Sequence, residues 1–188
     1  MKTLPLFPLP VVLFPGTLLP LQIFELRYRR MVKECLARQE PLVILQARHP
    51  STPDIDFYTT GTTGSILDWQ PLPNQMIGIE LQGEQRVRVA AIKKESDGLL
   101  LGEVEYLCSA DPVDLAPQSI RLSEIIAHLA EHPLLSFSPA RVSAETADAF
   151  SYQLAAMLPF SGADKQRLLE LDDPVARLES IYTLLKEY

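Results

Sequence analysis

The sequence is poor in the residues that most often carry chemistry. Its 188 residues include two cysteines, three histidines and one tryptophan. Cys35 and Cys108 are far apart and form no C-x-x-C pair, which excludes a disulfide scaffold and points to a reduced, cytoplasmic setting. There is no G-x-x-x-x-G-K-[ST] string, so the common NTPase reading is excluded, and no G-x-S-x-G nucleophile elbow. Proline or charge interrupts every apolar stretch well before the ~18 residues that a membrane helix needs. The N-terminus has no uninterrupted apolar core and no small-residue cleavage site, so no signal peptide is expected. Excess positive charge is also missing. The net charge is −7, whereas nucleic-acid binders usually concentrate lysine and arginine against phosphate.

What is present is an ordinary globular composition, 47% hydrophobic and 22% charged, in a chain long enough for a core without metal or disulfide staples. Seven of the eight glycines lie at or before Gly102. The first half has alternating, β-branched runs and the second half has helical periodicity. The segment Asp111–Pro117 reads as a linker. The expected fold class is therefore α+β, with a β-rich part over 1–115 and a helical part over 116–188.

The dense prolines of Leu4–Gly16 predict short edge strands, because proline donates nothing to a ladder. Thr17–Ile23 reads as a strand. Phe24, Tyr28, Met31 and Cys35 then recur at helical spacing up to Gln39, and Pro41 stops that helix. Leu42–Ala47 is an apolar strand, and 49–60 a loop ending in Phe57 and Tyr58. Gly61–Leu67 is a strand with a glycine bulge, Pro71–Asn74 a turn, and Gln75–Leu81 and Gln85–Lys93 two further strands. Asp97-Gly98 is a hairpin turn that sets Val89 opposite Val104 and Arg88 opposite Glu105. In the second half, helices are expected over Ile120–Glu131, Ser143–Leu158 (capped by Ser143, with Ala147, Phe150, Leu154 and Met157 inward), Ser161–Leu171, and Asp173 to Lys186.

Candidate chemistry is sparse. Glu124, His128 and His132 fall four apart on one helix, the spacing that aligns metal ligands, but a structural role for them is the simpler reading. Cys35 lies on the apolar stripe and Cys108 ends a strand, so both read as buried, inert thiols. Gly61–Ser65 lacks the lysine and the following helix of a phosphate loop. Asp172 and Asp173 read as capping residues, and Asp54 and Asp56 as solvated loop charges. No metal or cofactor is expected. Two features suggest binding: Leu13, Phe14 and Leu18 in the proline-rich stretch, and the group Phe57, Tyr58, Trp69 and Met76.

The opening Leu4–Gly16, then Leu19-Pro20-Leu21 and Phe24-Glu25, resemble the start of the N-terminal substrate-binding domain of the ATP-dependent protease Lon. Gly61–Leu67, Gly83–Val89 and Asp164–Glu170 with Arg177-Leu178 are similar to further segments of that family, so the anchors extend over nearly the whole chain. The resemblance implies a PUA-like β barrel carrying one helix, followed by a small helical bundle. It also implies a non-catalytic module recognising unfolded or degron-bearing polypeptide, with a separate protease or chaperone as a further partner. Full Lon proteases continue into an AAA+ module and a Ser–Lys protease domain; neither is expected in this sequence, and the dyad maps to no residue here. Two other readings compete. One is an RNA-binding PUA-like domain using Arg27, Arg30, Lys33, Arg38, Arg86 and Arg88. The other is a metal-dependent enzyme using Glu124, His128 and His132. An exposed apolar patch also fits a homodimer interface.

Overall fold

The computed structural model describes residues 2–48, 56–108 and 146–186. The chain divides into two compact units, Met1–Cys108 and Ser109–Tyr188. The linker and the boundary expected between 115 and 116 lie outside the described residues, as do the first expected helix of the second half and Ser143.

Unit 1 contains β1 (Lys2–Leu9), β2 (Leu18–Ile23), α1 (Leu26–Arg38), β3 (Leu42–Ala47), β4 (Phe57–Pro71), β5 (Ile77–Lys94) and β6 (Leu100–Tyr106). They form a six-stranded sheet in the order β2-β5-β4-β3-β1-β6. β5 also pairs with β6, so β1, β3, β4, β5 and β6 close into a circuit, with β2 an extra strand alongside the first half of β5. β3 explains its own apolar run. Leu42 and Ile44 join a cluster with Tyr28, Met31, Val32 and Cys35 of α1, while Val43 and Leu45 join a second cluster with Leu4, Leu6, Val87 and Val104. A strand buried on both faces has no reason to alternate.

β1 departs from expectation. It lies inside the sheet order, between β3 and β6, and not at an edge. Its two partners are staggered along it: β6 pairs with Lys2–Leu6 and β3 with Leu6–Leu9. Pro5 falls in the stretch paired only with β6, and Pro8 in the stretch paired only with β3. Neither proline removes a donor from a two-sided ladder.

β4 and β5 are longer than their punctuation implies. β4 starts at Phe57, so Phe57 and Tyr58 belong to a strand and not a loop. β5 runs 18 residues without breaking at Gly83. The glycines act by close approach instead. Gly64 stands directly opposite Gly83, at a shift in the β4–β5 register. A Cβ on Gly83 would lie 2.2 Å from the Phe14 carbonyl oxygen, and one on Gly64 would press on Leu13. The proline-rich segment thus seats in a notch that side chains would fill. The Thr62 hydroxyl donates to the Leu13 carbonyl at 2.6 Å, and the Gly16 N–H donates to the Gly83 carbonyl at 2.8 Å.

The hairpin formed by β5 and β6 has the expected register, with Val89 opposite Val104, Arg88 opposite Glu105 and Val87 opposite Tyr106. A bulge after Val89 then sets Ala91 opposite Glu103, and Ala91 is exposed. α1 ends at Arg38, followed by Gln39 in the left-handed region at φ 53 and then Pro41. Its buried stripe is Tyr28, Met31, Val32 and Cys35; Phe24 lies before the helix and is exposed, contrary to the stripe drawn from spacing.

In unit 2 the described helices are α2 (Ala147–Met157), α3 (Gly162–Glu170) and α4 (Pro174–Leu185). Thr146, Ser161 and Asp173 cap them through their side chains, each accepting a backbone N–H from the first turn. Ala147, Phe150 and Leu154 point inward as expected, but Met157 is exposed. The centre of this unit is a charged residue, Arg177, with no exposed surface. Its Nε donates to the Leu168 carbonyl; Nη1 donates to Asp148 Oδ1 and Ser151 Oγ, both at 2.8 Å; Nη2 donates to the Tyr152 hydroxyl and the Leu171 carbonyl. The guanidinium also stacks 3.9 Å from the Tyr152 ring centroid.

Two stability predictions follow from these contacts. Gly83→Ala will lower unfolding free energy by roughly 1–3 kcal/mol in urea titration, because the added carbon meets backbone and not a movable side chain. Arg177→Met will cost about 3 kcal/mol or more, because it leaves buried acceptors and a carboxylate without their donor.

Candidate functional site

The sequence-derived binding residues separate into buried and exposed groups. Leu13 and Phe14 are 2% and 0% exposed and fill the core beneath the glycine notch, so they support a surface and do not form one. Leu18, at the start of β2, is 55% exposed. Phe57 packs partly against the second apolar cluster, and Tyr58 lies half-buried with the Arg48 guanidinium 4.4 Å from its ring centroid. Trp69 is 54% exposed, and Met76 is half-buried just after the Pro73–Gln75 turn. Phe57 and Trp69 are twelve positions apart on β4, roughly 40 Å along an extended strand, so these aromatics are not one cluster. Leu18 and Trp69 lie two strands apart in the β2–β5–β4 order and in different cross-strand rows, Trp69 with Leu21 and Leu18 with Gln82.

That pairing builds a site around β2. Leu21, Ile79 and Trp69 form one cross-strand row, and Pro20, Glu80 and Asp68 form the next on the opposite face. Gly78 has no side chain, and around it lies a cleft of about 460 Å³ bounded by Pro20, Gln22, Gln70, Leu72 and Glu80. A second cleft of about 330 Å³ lies between the end of β1, β2 and the start of α1, lined by Phe7, Leu9, Ile23, Phe24 and Tyr28. Leu21 and Gln22 contribute to both. Phe24 and Leu26, at the turn from β2 into α1, are 68% and 78% exposed, more than any other large apolar side chains among the described residues. Sequence reasoning missed both. Phe24 fits a helical stripe by spacing, and only the true start of α1 removes it from that stripe.

The charged face of α1 is committed elsewhere. Arg30 binds three carboxylates: Asp97 at 2.9 Å, Glu34 at 3.0 Å and Glu95. Arg27 pairs with Glu25 at 2.8 Å and donates to the Gly98 carbonyl at 3.1 Å. These bonds clamp the turn of the β5–β6 hairpin onto the helix. The Leu99 N–H and then the Arg30 guanidinium hold the Asp97 carboxyl below its ordinary value. Arg86 is buried, and its Nη2 donates to the Cys108 carbonyl at 3.4 Å. A phosphate backbone would therefore find much of this positive charge already neutralised or covered.

The other candidates carry less. Desolvation pushes the Cys35 thiol up to about 11, which leaves it protonated and inert at neutral pH. Cys108 is exposed, not buried as its strand-end position implied. Glu124, His128 and His132 lie outside the described residues. Among the described residues no group of three or more histidine, cysteine, aspartate or glutamate side chains could hold a metal ion, and no helix is long and apolar enough to cross a membrane. The arrangement can bury apolar side chains in two shallow clefts.

Because the Asp97 carboxyl is held low, its contribution is present above the unfolded value near pH 4 and is lost as pH falls through the lowered value. Asp97→Ala will therefore flatten the acid limb of the stability–pH curve below the ordinary carboxylate value of about 4, measured by thermal melts, and leave the curve near neutral pH parallel to that of the parent.

The family model for the substrate-binding domain of the ATP-dependent protease La (Lon) matches residues 3–187. The Lon proteases of Erwinia amylovora and Escherichia coli are 26% and 25% identical over 97% of this chain, which spans 24% of each of them. The chain thus covers about a quarter of the length of these curated relatives. A crystal structure of a Lon N-terminal domain protein from Xanthomonas campestris superposes with a TM-score of 0.77 at 28% identity, covering 97% of this chain and 98% of that one. The N-terminal domain of a Mycobacterium avium complex Lon protease shares the fold, with a TM-score of 0.72 at 16% identity over the full length of both. With the match running across both units, the chain belongs to the Lon substrate-binding domain family.

Proposed function

We propose that this chain is a non-catalytic polypeptide-recognition module that binds exposed apolar segments of unfolded or degron-bearing polypeptides. The observation that carries the reading is the pair of clefts meeting at Leu21 and Gln22, one lined by exposed Trp69 and the other by exposed Phe24. Solvent-exposed apolar side chains on a rigid sheet cost solubility, and recognition gives them a use. Membership of a family described by its substrate-binding role supports the same reading. On this proposal the closed strand circuit is a PUA-like barrel, the later helices are a small bundle, and the two parts divide near 115/116. The protein acts in the cytoplasm, passing bound polypeptide to a protease or chaperone. The arginine–carboxylate contacts of α1 count against an RNA-binding reading.

The test is fluorescence anisotropy with a labelled unfolded polypeptide of no net charge and a labelled RNA, each at low and high salt. Polypeptide binding that changes little with salt is the expected result. Phe24→Ala combined with Trp69→Ala will weaken it about tenfold or more, with the melting temperature unchanged because both side chains are exposed. RNA binding that falls steeply with salt, without polypeptide binding, overturns the proposal.

A further inference from the structure

Among the described residues one side of the β2 backbone has no strand partner, and β2 pairs only with β5. Gly16, at φ 74, donates to the Gly83 carbonyl, and the Thr17 carbonyl accepts the Gly83 N–H at 2.9 Å. Thr17 therefore directs its carbonyl at β5. In an antiparallel ladder alternate residues do so, hence Leu19, Leu21 and Ile23 also face β5, while Leu18, Pro20 and Gln22 face away. Pro20 agrees with this phase, since it has no N–H to give the ladder. The open edge thus presents the N–H groups of Leu18 and Gln22 and the carbonyls of Leu18, Pro20 and Gln22.

A strand laid on this edge would run between the two clefts. Its side chains opposite Leu19, Leu21 and Ile23 would join the apolar face, and those opposite Leu18, Pro20 and Gln22 the other. On that other face Glu80 stands beside Pro20, and Asp68 stands directly opposite Glu80. Like charges so placed repel, and among the described residues no salt bridge offsets either carboxylate. Strands are about 4.8 Å apart, so a lysine or arginine opposite Pro20 reaches across that flat ring to Glu80.

Resting on the polypeptide-binding reading above, we infer that the β2 edge takes an extended segment as an added strand, and selects one that alternates apolar and basic residues, with the basic side chain opposite Pro20. The charge of the Asp68–Glu80 pair chooses the occupant, and the backbone groups of Leu18, Pro20 and Gln22 hold it.

The probe is an end-blocked peptide, Thr-Val-Lys-Val-Lys-Val-Thr, added to the full chain. Amide exchange followed by NMR should slow at least tenfold at Leu18 and Gln22 on saturation, while Leu19 and Leu21, already bonded to β5, change little. Replacing both peptide lysines by glutamate should weaken binding at least tenfold, and Asp68→Asn with Glu80→Gln should erase that preference. Leu18→Pro removes one outward donor without touching the β5 ladder and should weaken the lysine peptide several-fold; if that variant fails to fold, the exchange measurement on the parent chain decides. Peptide binding with unchanged exchange at Leu18 and Gln22 overturns the added strand but leaves polypeptide recognition standing. A concentration-dependent dimer in which those two amides are already protected overturns it in favour of a second copy. Failure to bind either peptide or the neutral unfolded polypeptide overturns both readings together.

Discussion

Unit 1 depends on the absence of two side chains. Gly64 and Gly83 face each other across β4 and β5, and the segment carrying Leu13 and Phe14 drops into the space they leave. This contact turns a stretch that cannot continue a ladder into a seated crossing, and delivers the chain to β5 in the correct phase. Were the segment lifted, β2 would lose its anchored start, Pro20 would lose the phase that makes it harmless, and the clefts on either side of Leu21 would lose a wall. Burial of Leu13 and Phe14 is therefore a condition for the exposure of Phe24 and Leu18 a few residues later.

Charge plays opposite parts in the two units. Around Arg30 it is solvent-accessible and networked, and its effect is positional: Arg30 grips Glu95 and Asp97, Glu34 steadies it from the helix, and Arg27 holds the Gly98 carbonyl, so α1 fixes the tip of a long hairpin. Exposed pairs of this kind contribute little each, and they matter here because Asp97 also caps its own turn through the Leu99 N–H. Around Arg177 the charge is desolvated, and its effect is energetic as well as geometric.

Local rules were legible where the chain's neighbours in space are also its neighbours in sequence. The β5–β6 hairpin register follows from Asp97-Gly98 and alternation, and the capping role of Asp173 from its side chain and the proline after it. The rules failed where a distant partner decides. Pro5 and Pro8 read as edge residues because a sequence does not show that β1 is staggered between two partners. Gly83 read as a break because its purpose lies with Phe14, nearly seventy residues earlier. Of the site, Leu18 and Trp69 were found as apolar residues in odd places. Phe24 was lost to a helical period that begins two residues later than its spacing implied.

The geometry of Arg177 also bears on how mutational data for this chain should be read. A guanidinium has five N–H groups, and here each has its own acceptor: two carbonyls, two hydroxyls and one carboxylate. Lysine offers three donors from a single point and cannot reproduce that planar fan. The side chain is wholly buried, so a substitution there acts through the packing of the unit. In a substitution scan it would rank beside or above the residues of the clefts, most of which accept conservative exchange because their task is to be apolar. Sensitivity to substitution at Arg177 is thus a mark of assembly, and the residues that recognise anything are to be sought among the exposed ones.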